Sequence, residues 1–477
     1  MSRTLLDHLA YALTVDHDDT VLEDAAIVVE DDRIAAIGPA AAVAQQYRGA
    51  AFDRVLDGRR RLALPGLVDA HLHLSEELSG SLFPDNLSTR PWVFNWAKPY
   101  YAAVSEEDEY VSALWAGVEM LKTGTTCFLD MGAQNDPAQF ALAVERLGLR
   151  GITGRHAADR PPAELPAWWT PEMVRHHFYP DADAALRALG GYVERWNGYA
   201  GGRLRCWVNI EGKEPCSAEL HVGARRLAAE LGVGTTYHIT SSIEEARVSE
   251  RRYGVWPLTR LHQLGALGPN LVLAHVVAVQ DAEVAYLADS GTKVAFCPGS
   301  AFKLAKGAAA IGKYPEMLQA GVTVALGCDG AAAAGSLDLL RQTYLVAGMF
   351  KDARLDADLV PARQAIRLAT IEGAKALLWD DEIGSLEVGK KADLILFDLD
   401  QPEWVPLHDP VQALVYAADA ASISTVLVDG RVVMDDRRVL TVDEAALREE
   451  VQRRAREIAT RAGLTRGTIP TRTTLYD

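Results

Sequence analysis

The sequence contains few cysteines, and none of them belongs to a C-x-x-C pair. Five occur in the 477 residues, all well separated: Cys127, Cys206, Cys216, Cys297 and Cys328. A zinc ribbon needs paired thiolates at short spacing, so this class of metal site is excluded. Single cysteines inside apolar runs, as at positions 127, 206 and 297, are typical of reduced core thiols. We therefore expect no disulfide bonds and a cytoplasmic protein.

Positive charge and long apolar runs are also scarce. Lysine and arginine number 48 against 65 aspartate and glutamate residues, a net charge of −17. An acidic protein of this kind is a poor partner for nucleic acid or for anionic membranes. No stretch reaches the roughly 18 apolar residues of a membrane-spanning helix. Asp7, His8 and Asp16 interrupt the N-terminal region before the apolar core of a secretion signal can form.

What the sequence does contain is a regular alternation of apolar, β-branched runs with helical patterns. Ser105 and Ser217 are predicted N-caps of two of these helices, and Gly124 and Gly232 are predicted stops. Eight runs within residues 63–385 indicate strands: 66–73, 125–131, 150–156, 204–212, 233–238, 270–275, 293–297 and 322–329. Eight β/α units in this length predict an α/β protein with a TIM-type (β/α)8 barrel. A doubly wound sheet is the alternative.

The two ends of the chain share a different pattern, in which short strands alternate with polar turns. Residues 1–62 and 386–440 both show it, and Asp429-Gly430 is a two-residue hairpin turn. Neither piece is large enough to fold alone, so we expect one small β-sandwich assembled from both termini beside the barrel. The polar segment 441–477 is predicted to be a helical extension on the outside.

Five residues that can bind a metal follow apolar runs of the predicted barrel. His71 and His73 close the first strand, and because side chains alternate along a strand, both point to the same side. His238, His275 and Asp329 close the fifth, sixth and eighth strands. The carboxyl ends of barrel strands form the mouth where active sites are built. Any one of these residues could be an ordinary hydrogen-bonded strand end, but five at one mouth indicate a metal site.

Several motifs around these residues resemble those of the amidohydrolase superfamily. They are PGLVDAHLH at the first strand, VEMLKTGTT before the second, FCPGSAFKL after the seventh, GCDG after the eighth, and IGSLEVGKKADLILFD near the C-terminal end. Together they are similar to the branch that contains triazine hydrolases, chlorohydrolases and methylthioadenosine/adenosylhomocysteine deaminases. The similarity extends over nearly the whole chain.

The resemblance implies one divalent ion held by His71, His73, His238 and Asp329, with His275 beside the bound water. Zinc is the expected ion, and iron, cobalt and manganese suit the same ligands. Such an ion lowers the pKa of its water from 15.7 toward roughly 7. We expect Asp329 and His275 to move the protons, with the order left open, and we count His238 with them as the catalytic set. The expected assembly is a homo-oligomer, and the expected partner is a small-molecule substrate.

The clearest departure from this branch follows His238. Deaminases of the branch carry a glutamate three residues later, which protonates a ring nitrogen, whereas Ser241 stands there in this chain. A hydroxyl is too weak an acid for that step, so Ser241 favours a substrate with a polarised carbonyl: an amide, urea, carbamate or thiocarbamate. The alternative is that Glu244 or Glu245 supplies the acid from one turn further on. An aminohydrolase or dechlorinase of a nitrogen heterocycle is then the second prediction.

The loop after the first strand is rich in aromatic residues, and the mouth lacks polar groups usual in the branch, as at Ala301. Aromatic residues here commonly line a small-molecule pocket, although they can equally pack loops together. We predict substrate contacts at Trp92, Trp96, Ser241 and His156. With the missing glutamate, this pattern is most similar to phenylurea and thiocarbamate herbicide hydrolases. The most specific prediction is therefore an aryl urea substrate, which would imply a role in xenobiotic degradation.

Lys213 follows the fourth strand, where two-metal relatives carry a carboxylated lysine between their ions. We expect a solvated loop lysine here, with the carboxylated ligand as the alternative. A barrel that has lost its ligands and only binds other molecules is a further class, but all five metal-binding positions are filled. The sequence therefore predicts a metal-dependent hydrolase acting on carbon–nitrogen bonds other than peptide bonds.

Overall fold

The computed structural model describes residues 2–162, 165 and 167–464. In this part of the chain the strands are β1 (Arg3–Leu13), β2 (Val21–Glu30), β3 (Arg33–Pro39), β4 (Arg54–Asp57), β5 (Arg61–Pro65), β6 (Leu67–Leu72), β7 (Thr125–Asp130), β8 (Arg150–Thr153), β9 (Leu204–Cys206), β10 (Val208–Gly212), β11 (Thr235–Ile239), β12 (Leu271–His275), β13 (Lys293–Phe296), β14 (Val324–Leu326), β15 (Leu394–Asp398), β16 (Ile423–Val428), β17 (Arg431–Asp435) and β18 (Arg438–Val439).

The α-helices lie mainly between the barrel strands. They are α1 (Ala40–Gln46), α2 (Thr89–Trp92), α3 (Lys98–Ala103), α4 (Glu106–Lys122), α5 (Ala138–Leu147), α6 (Pro171–His177), α7 (Ala182–Trp196), α8 (Ala218–Glu230), α9 (Ile243–Tyr253), α10 (Pro257–Gln263), α11 (Asp281–Ser290), α12 (Pro298–Lys303), α13 (Ala308–Ile311), α14 (Tyr314–Gln319), α15 (Ala331–Ala334), α16 (Leu339–Arg354), α17 (Ala362–Leu368), α18 (Ile371–Ala376), α19 (Pro410–Tyr416) and α20 (Glu444–Arg461). Short 3-10 helices lie at Leu74–Ser79, Ala200–Gly202, Pro402–Trp404 and Ala420–Ser422, and a π-helical segment at Val93–Ala97 joins α2 to α3.

The central strands form two parallel sheets that meet at both edges. Strands β6 to β9 pair in sequence order, and so do β10 to β14. Leu72 bridges Asp329 at one junction and Ala157 bridges Ile210 at the other, both in parallel. The run predicted as one strand over 204–212 consists of β9 and β10, interrupted at Trp207. The structure thus confirms the predicted (β/α)8 barrel, with a strand at each of the eight predicted positions.

The two termini form one sheet beside the barrel, which confirms the predicted shared terminal domain. Its strand order is β18-β17-β16-β15-β5-β1-β2-β3, with β4 paired to β1. The central junction is antiparallel pairing of β15 with β5, where Leu394 faces Pro65. Asp429 and Gly430 connect β16 to β17 with φ angles of 51° and 70°, so the predicted two-residue turn is present. The exact domain boundaries at 62/63, 385/386 and 440/441 stay a prediction.

A buried ion cluster fixes the terminal sheet to the barrel. Arg150 begins β8, and its guanidinium donates to Asp393 Oδ2 at 2.8 Å and to Asp429 Oδ1 at 2.5 Å. The guanidinium carbon also lies 5.3 Å from the ring centroid of Trp379. Breaking a buried ion pair leaves an uncompensated charge, so this cluster holds the two parts of the fold in one relative position.

The helix ends and the cysteines agree with their predicted roles. Ser105 accepts from the Asp108 amide at 3.2 Å, and Ser217 from the Leu220 amide at 3.0 Å, as N-caps of α4 and α8. All five cysteines are buried and unpaired. Helix α20 covers most of residues 441–464 of the predicted C-terminal extension, and residues 465–477 lie outside the described part. None of the helices in the described ranges is long and apolar enough to cross a membrane.

Candidate metal centre and substrate pocket

The five predicted metal-binding residues converge at the carboxyl ends of the barrel strands. His71 lies in β6, His238 in β11 and His275 at the end of β12, while His73 and Asp329 follow β6 and β14. Asp329 Oδ1 lies 3.6 Å from His71 Nε2 and 3.5 Å from His73 Nε2. His238 Nε2 lies 3.2 Å from His73 Nε2. We refer to these five residues as the metal-end group.

The chemistry of these side chains fits a divalent metal ion. Both ring nitrogens of His71 and the Nδ1 atom of His73 are buried without a hydrogen-bond partner in the protein. Burial of such polar atoms costs free energy unless another group binds to them. Ring nitrogens of His71, His238 and His275 lie within 4.8 Å of one another. Tetrahedral ligands at about 2.0–2.1 Å from zinc are about 3.3 Å apart. The separations between the donor atoms therefore match the size of one such ion.

Backbone contacts orient the histidines toward this point. His238 Nδ1 lies 3.0 Å from the carbonyl oxygen of Glu211, so it carries the proton and leaves the lone pair of Nε2 free. Lys98 holds Glu211 itself through a buried 2.7 Å ion pair. On the other side of the site, Asp69 accepts from the backbone amides of His71 and Cys328. The strand carrying the first histidines is thereby tied to the strand that precedes Asp329.

Backbone conformation at the strand ends is strained in the way that functional sites often are. His275 has φ 74° and Asp329 has φ 66°, both in the left-handed region. Tyr314 donates to the His275 carbonyl at 2.7 Å, and the amide of Asp329 donates to the His71 carbonyl at 2.9 Å. These bonds hold two side chains at the mouth that ordinary extended backbone would direct elsewhere.

Burial keeps the imidazoles of His73, His238 and His275 neutral. Nearby positive charge keeps Asp329 ionised. Desolvation, with the neighbouring His71, lowers the pKa of His73 to about 3. Desolvation also holds the pKa values of His238 and His275 well below 6.5. Burial alone would raise the pKa of Asp329, but Lys306 and the adjacent histidines outweigh it and hold that pKa well below 3.8. Neutral imidazoles and a carboxylate are the protonation states in which these side chains bind a metal.

Lys306, which the sequence analysis does not single out, places a buried cation beside the metal-end group. Its ammonium nitrogen lies 3.5 Å from Asp329 Oδ2 and 3.3 Å from His275 Nδ1. It also donates to the Ser300 hydroxyl at 3.2 Å. Its only sequence signal is its place in the loop after the seventh strand, two residues beyond the end of FCPGSAFKL. The pocket therefore contains a positive charge in addition to any metal.

Glu76 is a second residue that sequence reasoning misses. It lies three residues after His73, and its Oε1 is 3.8 Å from His73 Nδ1. Burial, together with the charge of Asp329, raises the pKa of Glu76 to about 8. Tyr101 donates a hydrogen bond to the same carboxyl group. In the absence of a bound metal, Glu76 is mainly protonated at neutral pH and can donate a proton into the pocket.

Ser241 lies on the pocket wall, and two charged side chains meet at it. Lys213 donates to the Ser241 hydroxyl, and the hydroxyl is 3.1 Å from Glu245 Oε2. Lys213 is only 20% exposed and lies 3.5 Å from Glu245, so the expectation of a solvated loop lysine is wrong. The carboxylate of Glu245 does reach Ser241 from the following helix, as the alternative prediction proposed. We refer to these three residues as the Lys213 group.

A cavity of about 190 Å³ connects the metal-end group with the Lys213 group. Trp92 and His156 line it, together with Ser241, in agreement with where substrate contacts are predicted. Trp96 is not among the lining residues; it is buried against Phe83, with ring centroids 5.8 Å apart. Trp92 packs against the same Phe83 ring, with centroids 5.4 Å apart, and in addition reaches the cavity wall.

His156 presents a hydrogen-bond donor to this cavity. Its Nδ1 lies 3.0 Å from the side-chain nitrogen of Gln134, so Nδ1 accepts and Nε2 carries the proton. Nε2 is buried and has no partner in the protein. Desolvation, with the nearby Lys98, holds the pKa of His156 well below 6.5, so the ring is neutral at neutral pH. A ligand with an acceptor atom would satisfy this N–H group.

Comparisons with known proteins agree with this site. A profile of the Amidohydrolase family matches residues 62–433. The chain is 32% identical, over 94% of its length and 98% of the relative, to the 5-methylthioadenosine/S-adenosylhomocysteine deaminase of Thermoanaerobacter pseudethanolicus. The crystal structure of a zinc-bound adenosine deaminase from Xanthomonas campestris superposes with a TM-score of 0.84, covering 96% of this chain and 99% of that one at 28% identity.

A triazine hydrolase from Arthrobacter aurescens shares the fold, with a TM-score of 0.85, 24% identity, and coverage of 95% of this chain and 100% of that one. The barrel and its polar strand ends thus define a metal-dependent hydrolase of carbon–nitrogen bonds other than peptide bonds. The chain belongs to the amidohydrolase family, within the branch that the sequence motifs indicated.

Proposed function

We propose that this protein is an aminohydrolase of a nitrogen heterocycle of the adenosine type, and that it releases ammonia from a ring carbon. One divalent ion, with zinc as the first candidate, is held by His71, His73, His238 and Asp329. The observation that carries the proposal is that Asp329 lies 3.5–3.6 Å from ring nitrogens of His71 and His73, and that His238 lies 3.2 Å from His73. These separations are close to those between ligands of one tetrahedral ion. The substrate is a small molecule that binds in the cavity between the metal-end group and the Lys213 group.

The choice of substrate rests on the relatives and on the contacts of Ser241. The deaminase relative covers nearly the whole chain at 32% identity, and the adenosine deaminase with zinc is 28% identical. Ser241 alone would argue against ring chemistry, because a hydroxyl cannot protonate a ring nitrogen. The presence of Lys213 at this hydroxyl answers that objection, because its ammonium is a charged hydrogen-bond donor that lines the same cavity.

The reaction consumes water and converts a ring C–NH2 group into a carbonyl with release of ammonia. When bound, the metal would lower the pKa of water toward roughly 7 and make hydroxide available at neutral pH. Asp329, held ionised, accepts the proton that water loses. His275 lies 3.8 Å from Asp329 Oδ2 and is placed to pass this proton to the departing nitrogen. His156 offers its Nε2–H to an acceptor atom of the ring.

A second candidate is hydrolysis of a urea, amide or carbamate, as the sequence first suggested. Ser241 in place of a carboxylic acid is the observation that favours it, together with the aromatic wall formed by residues such as Trp92. The buried ammonium of Lys306 beside Asp329 would stabilise negative charge that develops on a carbonyl oxygen. The relatives give this candidate less support than the ring aminohydrolase, and an aryl urea is the weaker proposal.

The experiment that tests the proposal is a substrate panel on zinc-loaded, metal-analysed protein. The panel contains adenosine, methylthioadenosine, an aminotriazine, a phenylurea and an anilide, with ammonia and aniline measured separately. We expect ammonia release from the adenosine-type compounds, and loss of this release together with the metal in His71→Ala. Aniline release from the phenylurea without ammonia from any ring compound would contradict the main proposal and support the second candidate.

A further inference from the structure

The Lys213 group is an unexpected arrangement on the wall of the substrate cavity. Its three members line the same cavity as His73, His238 and Asp329. The ammonium of Lys213 donates to Ser241 and lies 3.5 Å from Glu245 Oε2. Ser241 is three residues along the chain from His238, so the lysine is held close to the metal-end group.

The backbone around Lys213 is built to place this side chain. Lys213 itself adopts φ 60°, in the left-handed region that lysine rarely occupies. The preceding Gly212 has φ 79°, and a Cβ there would overlap the carbonyl oxygen of His238. The close approach of the fourth strand to the fifth therefore requires glycine at position 212. The backbone conformation of Gly212 and Lys213 directs the Lys213 side chain into the cavity.

Glu245 is fixed from the opposite side. Its carboxylate accepts from the backbone amides of Thr240 at 2.7 Å and Ser241 at 2.9 Å. These amides precede helix α9, so the carboxylate satisfies donors at the helix N-terminus as well as facing the lysine. Since both oxygens are engaged by donors, Glu245 is a poor proton source. Its role is to hold Lys213 and Ser241 in place.

The ammonium is the group of this set that a ligand can use. Lysine has three N–H donors and no acceptor, and Ser241 with Glu245 occupy two of the three directions. A third N–H is left for the cavity. A charged donor makes a stronger hydrogen bond than a hydroxyl does. It suits an acceptor next to the carbon that water attacks, because that atom gains electron density as the C–O bond forms.

We propose that Lys213 is a substrate-binding, specificity-determining residue that donates a hydrogen bond to the ring nitrogen next to the attacked carbon. Ser241 and Glu245 are its positioning residues. This inference rests on the proposed aminohydrolase function and deepens it, because it assigns the contact that polarises the ring. The substrate must then carry an acceptor atom at that ring position.

A double-mutant cycle with two ring analogues tests this contact directly. Purine riboside and 1-deazapurine riboside differ only by nitrogen against C–H at the position in question, and neither has an amino group that could be lost. Their dissociation constants are measured by titration calorimetry on the zinc-loaded native protein and on Lys213→Met. We expect the deaza analogue to bind the native protein roughly 10- to 100-fold more weakly, the range for a charged hydrogen bond. In Lys213→Met the two analogues should bind within about twofold of each other.

Three further variants separate binding from folding. Lys213→Arg keeps a charged donor and should retain part of the preference for the ring nitrogen, whereas Ser241→Ala should lose part of it because the lysine loses its support. Lys351→Met, on the exposed face of α16 beside Tyr416, is the matched control and should leave the preference unchanged. Metal content and circular dichroism are measured for every variant, and both should stay at the native values.

The outcomes distinguish this inference from the proposed function. Equal discrimination between the analogues by the native protein and by Lys213→Met would overturn the role of Lys213 while leaving the aminohydrolase proposal intact. Binding of neither analogue to the zinc-loaded native protein would overturn the proposed function and this inference with it. Loss of discrimination in Lys213→Met, with metal content retained and partial rescue in Lys213→Arg, would support both.

Discussion

The metal-end group and the Lys213 group lie in one cavity but differ in how closely they follow the motifs that the sequence shares with the family. At the metal end, the strand-end histidines and the aspartate are those that the superfamily motifs imply. On the opposite wall, Ser241 replaces an acid, and Lys213 and Glu245 fill the space around it. In the proposed mechanism, activation of water and recognition of the substrate are therefore carried by separate walls of the cavity.

The largest effect is expected when a metal ligand is removed. In His71→Ala, we expect loss of the bound ion and at least about a thousandfold loss of kcat/KM, because the metal supplies the activated water. The measurement is metal analysis together with ammonia release. His262→Gln is the control, since this ring stacks on Tyr286 away from the cavity. Retained activity after complete metal loss in His71→Ala would contradict the account.

A smaller effect is expected from the cation next to the metal end. In Lys306→Met, kcat should fall roughly 100-fold, the range for losing one electrostatic donor at a reacting centre, while metal content stays near the native value. Lys303→Met is the matched control. Lys303 is three residues before Lys306, and it donates to the backbone carbonyl of Ala332. If Lys306→Met instead lost the metal and kept kcat per bound ion, this lysine would serve the structure of the site only.

The two buried tryptophans, Trp92 and Trp96, test which residues of this loop contact the substrate. Trp92→Ala and Trp96→Ala should each lower the free energy of unfolding by about 3 kcal/mol, since both are large buried aromatics. Only Trp92 lines the cavity, so only its variant should also raise KM, by roughly tenfold. Thermal unfolding and steady-state kinetics check the pair. An equal rise of KM in both variants would show that Trp96 contacts the substrate as first predicted.

The smallest effect concerns pH and His156. Burial lowers the pKa of His156 below the value of about 6.5 in the unfolded chain. As pH falls below 6.5, the unfolded chain therefore takes up a proton that the folded protein does not, and stability decreases by about 1.4 kcal/mol per pH unit. The His156→Gln variant lacks this titrating group. Between pH 7 and 5, the free energy of unfolding of the metal-free variant should therefore fall by about 2 kcal/mol less than that of the metal-free native protein.

Urea denaturation of metal-free protein at the two pH values measures this difference. His17→Gln removes an exposed histidine and serves as the control. An identical loss of stability in native protein and His156→Gln would mean that the folded protein protonates His156 as readily as the unfolded chain does. The neutral donor assigned to this ring would then be wrong.

Most of the fold and the metal end could be predicted because their signals are local. Apolar, β-branched runs gave the eight barrel strands, and the first polar residue after a run, as at His238 or Asp329, marks the mouth. Ser105 and the Asp429-Gly430 turn are likewise short patterns with a direct physical meaning. A parallel barrel converts such strand-end positions into spatial neighbours, so one-dimensional spacing was enough to collect the metal-end group.

Within the Lys213 group, Ser241 and Glu245 are among the predicted residues, but the place of Lys213 could not be predicted because it depends on side-chain direction. Lys213 appears in the sequence as a loop lysine, and only the left-handed backbone at Gly212 and Lys213 turns it into the cavity. Glu76 and Lys306 are missed for a similar reason: Glu76 lies in a short 3-10 helix and Lys306 in the loop between α12 and α13, and no residue pattern specifies their orientation. Trp92 and Trp96 both pack against Phe83, yet only Trp92 reaches the cavity.

In the proposed site, four side chains from three strand ends hold one divalent ion. The most direct measurement is metal analysis of the purified protein, combined with a crystal structure that uses anomalous scattering to locate the ion. The account predicts one equivalent of metal, bound to His71, His73, His238 and Asp329. A protein that binds less than about a tenth of an equivalent after incubation with zinc, or an ion located away from these residues, would contradict it.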